Sequence, residues 1–245
     1  MLNKIVLITG ANGAIGQGLC EGFKKNGWLV IGTDYQDSGA ENIDNYISID
    51  LDRLCNDAQY CKQCIEFIHE LCHDGLDLLI NNAATQILAP ITELSFESWK
   101  STININLNSV FILIKSLVSE LEVVKGSVIN ISSIHAQLTK PNFSAYSTSK
   151  AGLIGLTRSL SVELGAKIRV NAINPAAIST PMLESGFAGN KKARDELDFH
   201  HPTCSIGTIN DVVKTALYLS ETDIFVNGTI INIDGGISSR LHDPI

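Results

Sequence analysis

Seven short apolar runs recur along the chain, and helical spacing fills nearly all the gaps between them. This alternation constrains the fold more than any single residue. The runs are Lys4–Thr9, Trp28–Thr33, Tyr46–Ile49, Leu76–Ile80, Ser127–Ile131, Ile168–Ile173 and Thr229–Ile233. Strands that are apolar on both faces need cover on both faces, which a parallel sheet with crossover helices supplies. With right-handed crossovers, the pattern predicts an α/β architecture: a doubly wound parallel sheet of about seven strands with helices on both faces.

The first run ends in the glycine-rich turn Thr9-Gly10-Ala11-Asn12-Gly13-Ala14-Ile15-Gly16, with a helix starting near Ala14. Glycines at a strand-to-helix turn permit positive φ and close approach of a phosphate, and the helix N-terminus offers free N–H groups. The sheet is therefore expected to be Rossmann-like, with Gly10, Asn12, Gly13, Ala14, Ile15 and Gly16 around a diphosphate. Asp34 closes the second run, 24 residues after Gly10, where a carboxylate accepts hydrogen bonds from ribose hydroxyls and repels a 2′-phosphate. Neither Thr33 nor Tyr35 brings a cation, so NAD is expected rather than NADP. Asp50 and Leu51 follow the third run, and Asn82, Ala83 and Ala84 the fourth. Both lie at carboxyl ends of strands, the side on which open parallel sheets bind ligands.

Tyr146 and Lys150 are four apart in a helical stretch over 145–164, so they share a face. An ammonium beside a phenol favours the phenolate, which makes Tyr146 a candidate acid and base. Ser133 follows the fifth strand, on the same side of the sheet, and can hold a substrate oxygen. Its neighbour Ser132 competes for that role. His135, Gln137, Asn142 and the basic cluster Lys191, Lys192 and Arg194 suggest a polar, sugar- or acid-type small-molecule substrate, with His135 joining Ser133 in its contacts.

Taken together, these motifs resemble the compact subclass of the short-chain dehydrogenase/reductase family, and they run from Thr9 to Gly236. In that family the serine stands 13 residues before the tyrosine, which selects Ser133. The resemblance implies that Asn106, within WKSTININLN, sits at a helix distortion whose water relays protons to the lysine. It also implies that Lys150 contacts the nicotinamide ribose, and that Pro175, Ile178 and Thr180 lie at the nicotinamide end. It commonly goes with a tetramer. Three departures add a methyl at a cofactor contact: Ala14 at a glycine of TGxxxGxG, Ala84 in Asn-Asn-Ala-Gly, and Ala176 after Pro175. They put nucleotide affinity in question and remove no catalytic group.

The function expected is reversible hydride transfer between NAD(H) and a secondary alcohol or ketone. The alternatives are a 3-oxoacyl-carrier reductase and a non-catalytic NAD-binding scaffold. The 245 residues carry no repeat or Pro/Ser-rich linker, so residues 1–245 read as a single domain, with 179–208 as a substrate lid. A net charge of −8 argues against nucleic acid and anionic membranes. The most apolar later stretch, Val110–Val118, is broken by Lys115 and Ser116 and is far short of the roughly 20 residues a span needs. A cytoplasmic protein is expected, as a homo-oligomer, either tetramer or dimer. Its six cysteines should be reduced. Cys61 and Cys64, with His69, Cys72 and His73 nearby, have zinc-like spacing. However, Cys61, Cys64, Ile65, Ile68 and Cys72 form the stripe of one amphipathic helix, so no metal is expected.

Overall fold

The computed structural model describes residues 4–187 and 189–241. Seven strands form one parallel sheet in the order β3-β2-β1-β4-β5-β6-β7. They are β1 Ile5–Thr9, β2 Leu29–Asp34, β3 Asn45–Ser48, β4 Leu78–Asn81, β5 Ser127–Ile131, β6 Arg169–Pro175 and β7 Ile230–Ile233. Strand order reverses between β1 and β4, which opens a crevice at their carboxyl ends. Strand ends fall within one residue of the sequence expectation except at two boundaries, which differ by two residues. Leu76 and Asp77 precede β4, where Asp77 Oδ2 accepts the Ile5 amide at 2.8 Å, and β6 continues to Pro175.

Alternate residues of each strand enter opposite cores. On one side Leu7, Ile31, Leu79, Val128 and Val170 pack beneath α3 (Ala58–Leu71), α5 (Ser109–Ser116), α6 (Val118–Val124) and α7 (Ser144–Leu164). On the other, Val6, Ile8, Val30, Ile80 and Ile129 meet Leu19 and Phe23 of α1 (Ala14–Lys25) and Val212, Val213 and Ala216 of α10 (Ile209–Glu221). Each such side chain contributes about 1.5–3 kcal/mol on burial, which explains why both faces of the strands must be apolar. Cys64, Ile65 and Ile68 are the buried residues of α3, and Cys72 behind them is also buried, while Cys61, the first residue of the expected stripe, is half-buried at its edge.

The apolar stretch Ile103–Leu121, which the sequence suggests is one long helix, is divided in the structure. After α4 (Phe96–Ile103) the chain makes a π-helical turn over Asn104–Asn108, then α5, and it bends again at Leu117 before α6. Side chains bond back inside the turn: Ser109 Oγ donates to the Ile105 carbonyl at 2.7 Å, and Asn108 Nδ2 to Asn104 Oδ1 at 2.9 Å. The Ser109 bond, made to a backbone carbonyl, competes with the regular ladder.

A buried polar ladder fixes the rotation of α7. Asn81 Nδ2 donates to Asn130 Oδ1 at 2.8 Å, Asn130 Nδ2 to Thr157 Oγ1 at 2.9 Å, and Thr157 Oγ1 to the Leu153 carbonyl at 2.8 Å. This ties β4 and β5 to the helix that carries Tyr146 and Lys150. Among the described residues, no helix is long and apolar enough to cross a membrane.

Candidate active site

The glycine turn sits at the strand-order reversal. Gly10 has φ +65°, and a Cβ there would lie 2.7 Å from Ala83 Cα. Gly13 begins α1 with no side-chain cap, and no acidic residue follows in the first turn. Amides at the start of α1 therefore have no side-chain acceptor, as an anion site requires. Ile15 packs onto the core behind the turn, and Ala14 lines the outer groove with Gln17, Gly18 and Ala40.

Asp34 is the last residue of β2. Its Oδ2 accepts the Asn12 amide at 3.1 Å and its Oδ1 the Tyr35 amide at 2.8 Å, which leaves further acceptor positions on both oxygens. The Asn12 side chain donates to Gln36 Oε1 (2.8 Å) and the Ser38 carbonyl (2.9 Å), and accepts the Ala40 amide (2.8 Å). The loop after β2 is thus pinned to the glycine turn. The cradle fits a dinucleotide, with uncapped helix amides where a diphosphate would lie and a carboxylate at the ribose end.

Other residues expected at the cofactor are at the right edge of the sheet but have structural work as well. Asp50 Oδ1 caps α2 (Leu51–Asn56) by accepting from Asp52 N and Arg53 N at 2.9 and 3.1 Å, with Leu51 buried beside it. Asn82 Nδ2 donates to the carbonyls of Thr9 and Gly10 at 2.9 and 3.1 Å, so its amide closes the turn. Thr9 Oγ1 accepts from Asn82 N and Ala83 N, both at 3.0 Å, a role the sequence did not suggest. Ala84 is exposed, Pro175 and Ile178 are buried, and Ala176 N donates to the Ile233 carbonyl at 3.1 Å. Thr180 Oγ1 caps α8 (Pro181–Gly186) through Leu183 N at 3.2 Å.

Tyr146 and Lys150 lie one turn apart on α7, and Lys150 Nζ is 5.7 Å from the centroid of the Tyr146 ring. The buried Nζ donates to the Ile131 carbonyl at 2.8 Å, at the end of β5. The two serines differ in what they meet: Ser133 Oγ accepts the His135 amide at 3.2 Å and favours the Tyr146 phenolate, whereas Ser132 Oγ donates to the Lys150 carbonyl at 3.1 Å. His135 stacks on Phe143 (centroids 4.3 Å apart) and meets the Tyr146 ring edge-on at 5.8 Å. Phe143 was not foreseen. Asn106 is buried in the π turn; its Nδ2 donates to the Thr85 carbonyl (2.9 Å) and Ser149 Oγ (3.0 Å), and its Oδ1 accepts Thr85 N (2.8 Å). Thr85 and Ser149 carried no sequence signal.

Electrostatically the cofactor-free site is neutralising. Burial pushes the Tyr146 phenol up, and the Ser133 hydrogen bond only partly opposes this. Burial brings the Lys150 ammonium down to about 8. Burial, then Lys140, lowers the His135 imidazole, which favours its neutral form. For the phenol, loss of solvent outweighs the Ser133 contact.

The family model described as Enoyl-(Acyl carrier protein) reductase matches residues 10–238. The 3-oxoacyl-[acyl-carrier-protein] reductase FabG of Buchnera aphidicola is 32% identical over 243 residues, covering 96% of this chain and 97% of its own. The chain belongs to the short-chain dehydrogenase/reductase family. It is an oxidoreductase of that family that binds a nucleotide cofactor. Aldohexose dehydrogenase from Thermoplasma acidophilum superposes with a TM-score of 0.89 at 28% identity, covering 99% of this chain and 97% of that one. Two cofactor complexes are also similar. ElxO with NADP has a TM-score of 0.87 at 29% identity and covers 98% and 100% of the two chains. 4-Hydroxyisoleucine dehydrogenase with NADH has a TM-score of 0.81 at 29% identity and the same coverage.

In this short-chain dehydrogenase/reductase the basic cluster is not an anion site. On α9 (Lys191–His200), Lys191 pairs with Asp195 at 3.0 Å and Lys192 with Glu196 at 3.9 Å; Arg194 pairs with Glu184 at 3.1 Å and Asp198 at 2.7 Å. Acids one turn away neutralise each cation, so the cluster gives no support for an anionic substrate.

The Lys150 shift also carries a stability consequence. A lysine whose folded value is depressed burdens the fold fully below that value, and the burden lifts as pH rises from about 8 towards 10.5, because the unfolded chain then holds the extra proton. Lys150→Met is therefore expected to raise the urea midpoint at pH 7 and to flatten its rise between pH 8 and 10. An unchanged midpoint at pH 7 would show that the buried ammonium costs nothing.

Proposed function

We propose that this protein transfers hydride between NAD(H) and a secondary alcohol or ketone, with a polar, sugar- or acid-type substrate. The observation that carries the reading is the Tyr146 ring, with the buried Lys150 Nζ 5.7 Å from its centroid and held to the Ile131 carbonyl at the carboxyl edge of the sheet. The nicotinamide supplies the redox chemistry when bound. Tyr146 gives a proton to a carbonyl oxygen in reduction and takes one from a hydroxyl in oxidation. Ser133 holds the substrate oxygen, with His135 on its far side. Lys150 contacts the nicotinamide ribose and biases the phenol electrostatically, while Asn106 anchors the proton relay.

On the cofactor side, Gly10, Asn12, Gly13, Ala14, Ile15 and Gly16 would hold the diphosphate, and Asp50 and Leu51 the adenine. Asn82, Ala83, Ala84, Pro175, Ile178 and Thr180 would line the nicotinamide end. Asp34 favours NAD, since its carboxylate accepts from ribose hydroxyls and would face a 2′-phosphate with like charge. One domain, with 179–208 as its lid, completes the arrangement. The exposed side chains of Phe111 and Val162 on α5 and α7 support a homo-oligomer, and six free thiols support a cytoplasmic setting.

A second reading, 3-oxoacyl-carrier reduction, is favoured by the FabG relative. Turnover assays separate the two: NADH production from aldoses, polyols and hydroxy acids supports the first, and oxidation of reduced cofactor by 3-oxoacyl thioesters alone supports the second. Cofactor choice is read by titration. Asp34→Ser should weaken NAD about tenfold or more, the worth of a charge-assisted hydrogen bond, and narrow its lead over NADP. If wild type binds NADP as tightly as NAD, the Asp34 argument fails.

A further inference from the structure

Two residues before Asn106, the buried Asn104 makes three contacts that the proposed chemistry does not use. Its Nδ2 donates to Asp52 Oδ1 at 2.8 Å, its Oδ1 accepts from Asn108 Nδ2 at 2.9 Å, and its carbonyl accepts the Cys55 thiol at 3.5 Å. Asp52 and Cys55 both belong to α2, a short helix whose start is capped by Asp50. Asn104 is thus gripped from outside by α2 and from inside by the far end of its own π turn. Asn106, in the middle of that turn, spends its whole side chain on Thr85 and Ser149, and Ser149 Oγ donates to the Tyr146 carbonyl at 2.7 Å.

We propose that Asn104 is a positioning residue, clamped by Asp52, that fixes the π turn carrying Asn106 and so sets the register of the Tyr146 helix against the loop after β4. A π turn is a costly local form that persists only when its surroundings over-determine it. The Asp52–Asn104 bond, at 2.8 Å, is the shorter of the two side-chain restraints by which α2 reaches the turn, the Cys55 thiol being the other at 3.5 Å. Loss of that bond lets Asn106 drift relative to Thr85 and Ser149, and small misplacements near reacting groups cost rate steeply. The same helix would meet the adenine through Asp50 and Leu51, so the ligand's far end and the acid–base end share one support. This inference rests on the reading of Tyr146 given above.

The test uses Asp52→Ala, Asp52→Asn and Asn104→Ala in the full chain. Asp52→Ala removes the acceptor from a half-exposed helix position, while Asp52→Asn keeps an oxygen for Asn104 Nδ2. Amide hydrogen exchange in the cofactor-free protein should accelerate over 84–86 and 104–110 in Asp52→Ala and Asn104→Ala, and stay near wild type in Asp52→Asn. With turnover, kcat should fall about tenfold in the two disruptive variants, while the NAD dissociation constant stays within about threefold. The solvent deuterium isotope effect should rise as proton transfer becomes limiting. The double variant Asp52→Ala/Asn104→Ala should be no worse than either single one. Exchange confined to α2, unchanged kcat in Asp52→Ala, equal losses of kcat and NAD binding, or an Asp52→Asn protein as impaired as Asp52→Ala would each overturn the proposal. Should Asn104→Ala not fold, the Asp52 pair decides. Should Tyr146→Phe keep its turnover, the functional reading fails, and the exchange experiment still judges the clamp.

Discussion

Tyr146→Phe is expected to lower kcat by about a thousandfold, within the range that a positioned acid–base group supplies, while NAD affinity stays within about threefold. The ring's packing against His135 and Phe143 survives the change, since only the hydroxyl is lost. Ser133 Oγ keeps its bond from the His135 amide at 3.2 Å, so the fold should stay intact. Steady-state kinetics with the best alcohol found, together with a nucleotide titration, check both halves of the prediction. A Phe variant with near-normal turnover would move the proton carrier to another group, with His135, edge-on to the ring at 5.8 Å, a candidate. A variant that lost nucleotide binding as well would mean that the phenol is a binding group first.

Gly16→Ala should be the most damaging single methyl near the cofactor. A Cβ at Gly16 would stand 2.0 Å from the Gly10 carbonyl oxygen and 2.9 Å from Ala11 Cα, both backbone atoms that flank the turn. Relief requires either the first turn of α1 or the end of β1 to move. Overpacking of this kind costs about 3 kcal/mol or more, roughly 6–12 °C in melting temperature for a domain of this size. Gly13→Ala is the control. Its Cβ would meet only the Gly10 carbonyl oxygen, at 3.4 Å, and its φ of −68° suits any residue. It should melt near wild type, and weaken NAD if the diphosphate lies against it. Thermal melts with and without NAD separate the two effects. Equal melting temperatures for Gly16→Ala and wild type would show that the turn is looser than its contacts imply.

The parts legible in the sequence are those set by local periodicity. Apolar runs alternating with helical stretches showed a doubly wound parallel sheet of about seven strands, and the i, i+4 relation put Tyr146 and Lys150 on one face; the strand order came from the structure. The Ser132/Ser133 choice was not local. Periodicity left Ser132 and Ser133 open and the family spacing selected Ser133; in the structure the Ser132 hydroxyl turns to the Lys150 carbonyl, while the Ser133 side chain favours the phenolate. Periodicity did not show the π turn, because the apolar pattern from Ile103 to Leu121 runs on through it, and only the family resemblance placed a helix distortion at Asn106; in the structure Ser109 bonds back to the Ile105 carbonyl, and Asn104 bonds to Asn108 and to Asp52, a residue 52 positions away. The pairing of Lys191, Lys192 and Arg194 was readable, since Asp195, Glu196 and Asp198 stand one turn on. Reading the cations without those acids made a solvated, self-neutralised helix look like a ligand site. Asn82 and Asp50 lie where the turn chemistry placed them, yet their side chains hold loops and helix ends, a division of labour that no spacing rule reports.

Titration of the Tyr146 phenol by carbon-13 NMR, in protein labelled at tyrosine, measured with and without NAD, tests the central claim most directly. In the cofactor-free protein burial holds the phenol above its ordinary value, with Ser133 as a partial offset. The oxidised cofactor's positive ring beside the phenol should pull that value down, and Lys150→Met should remove much of the drop. The account predicts a clear downward shift on adding NAD, assigned to Tyr146 by its absence in Tyr146→Phe. A Tyr146 resonance that titrates at the same pH in both states would contradict it.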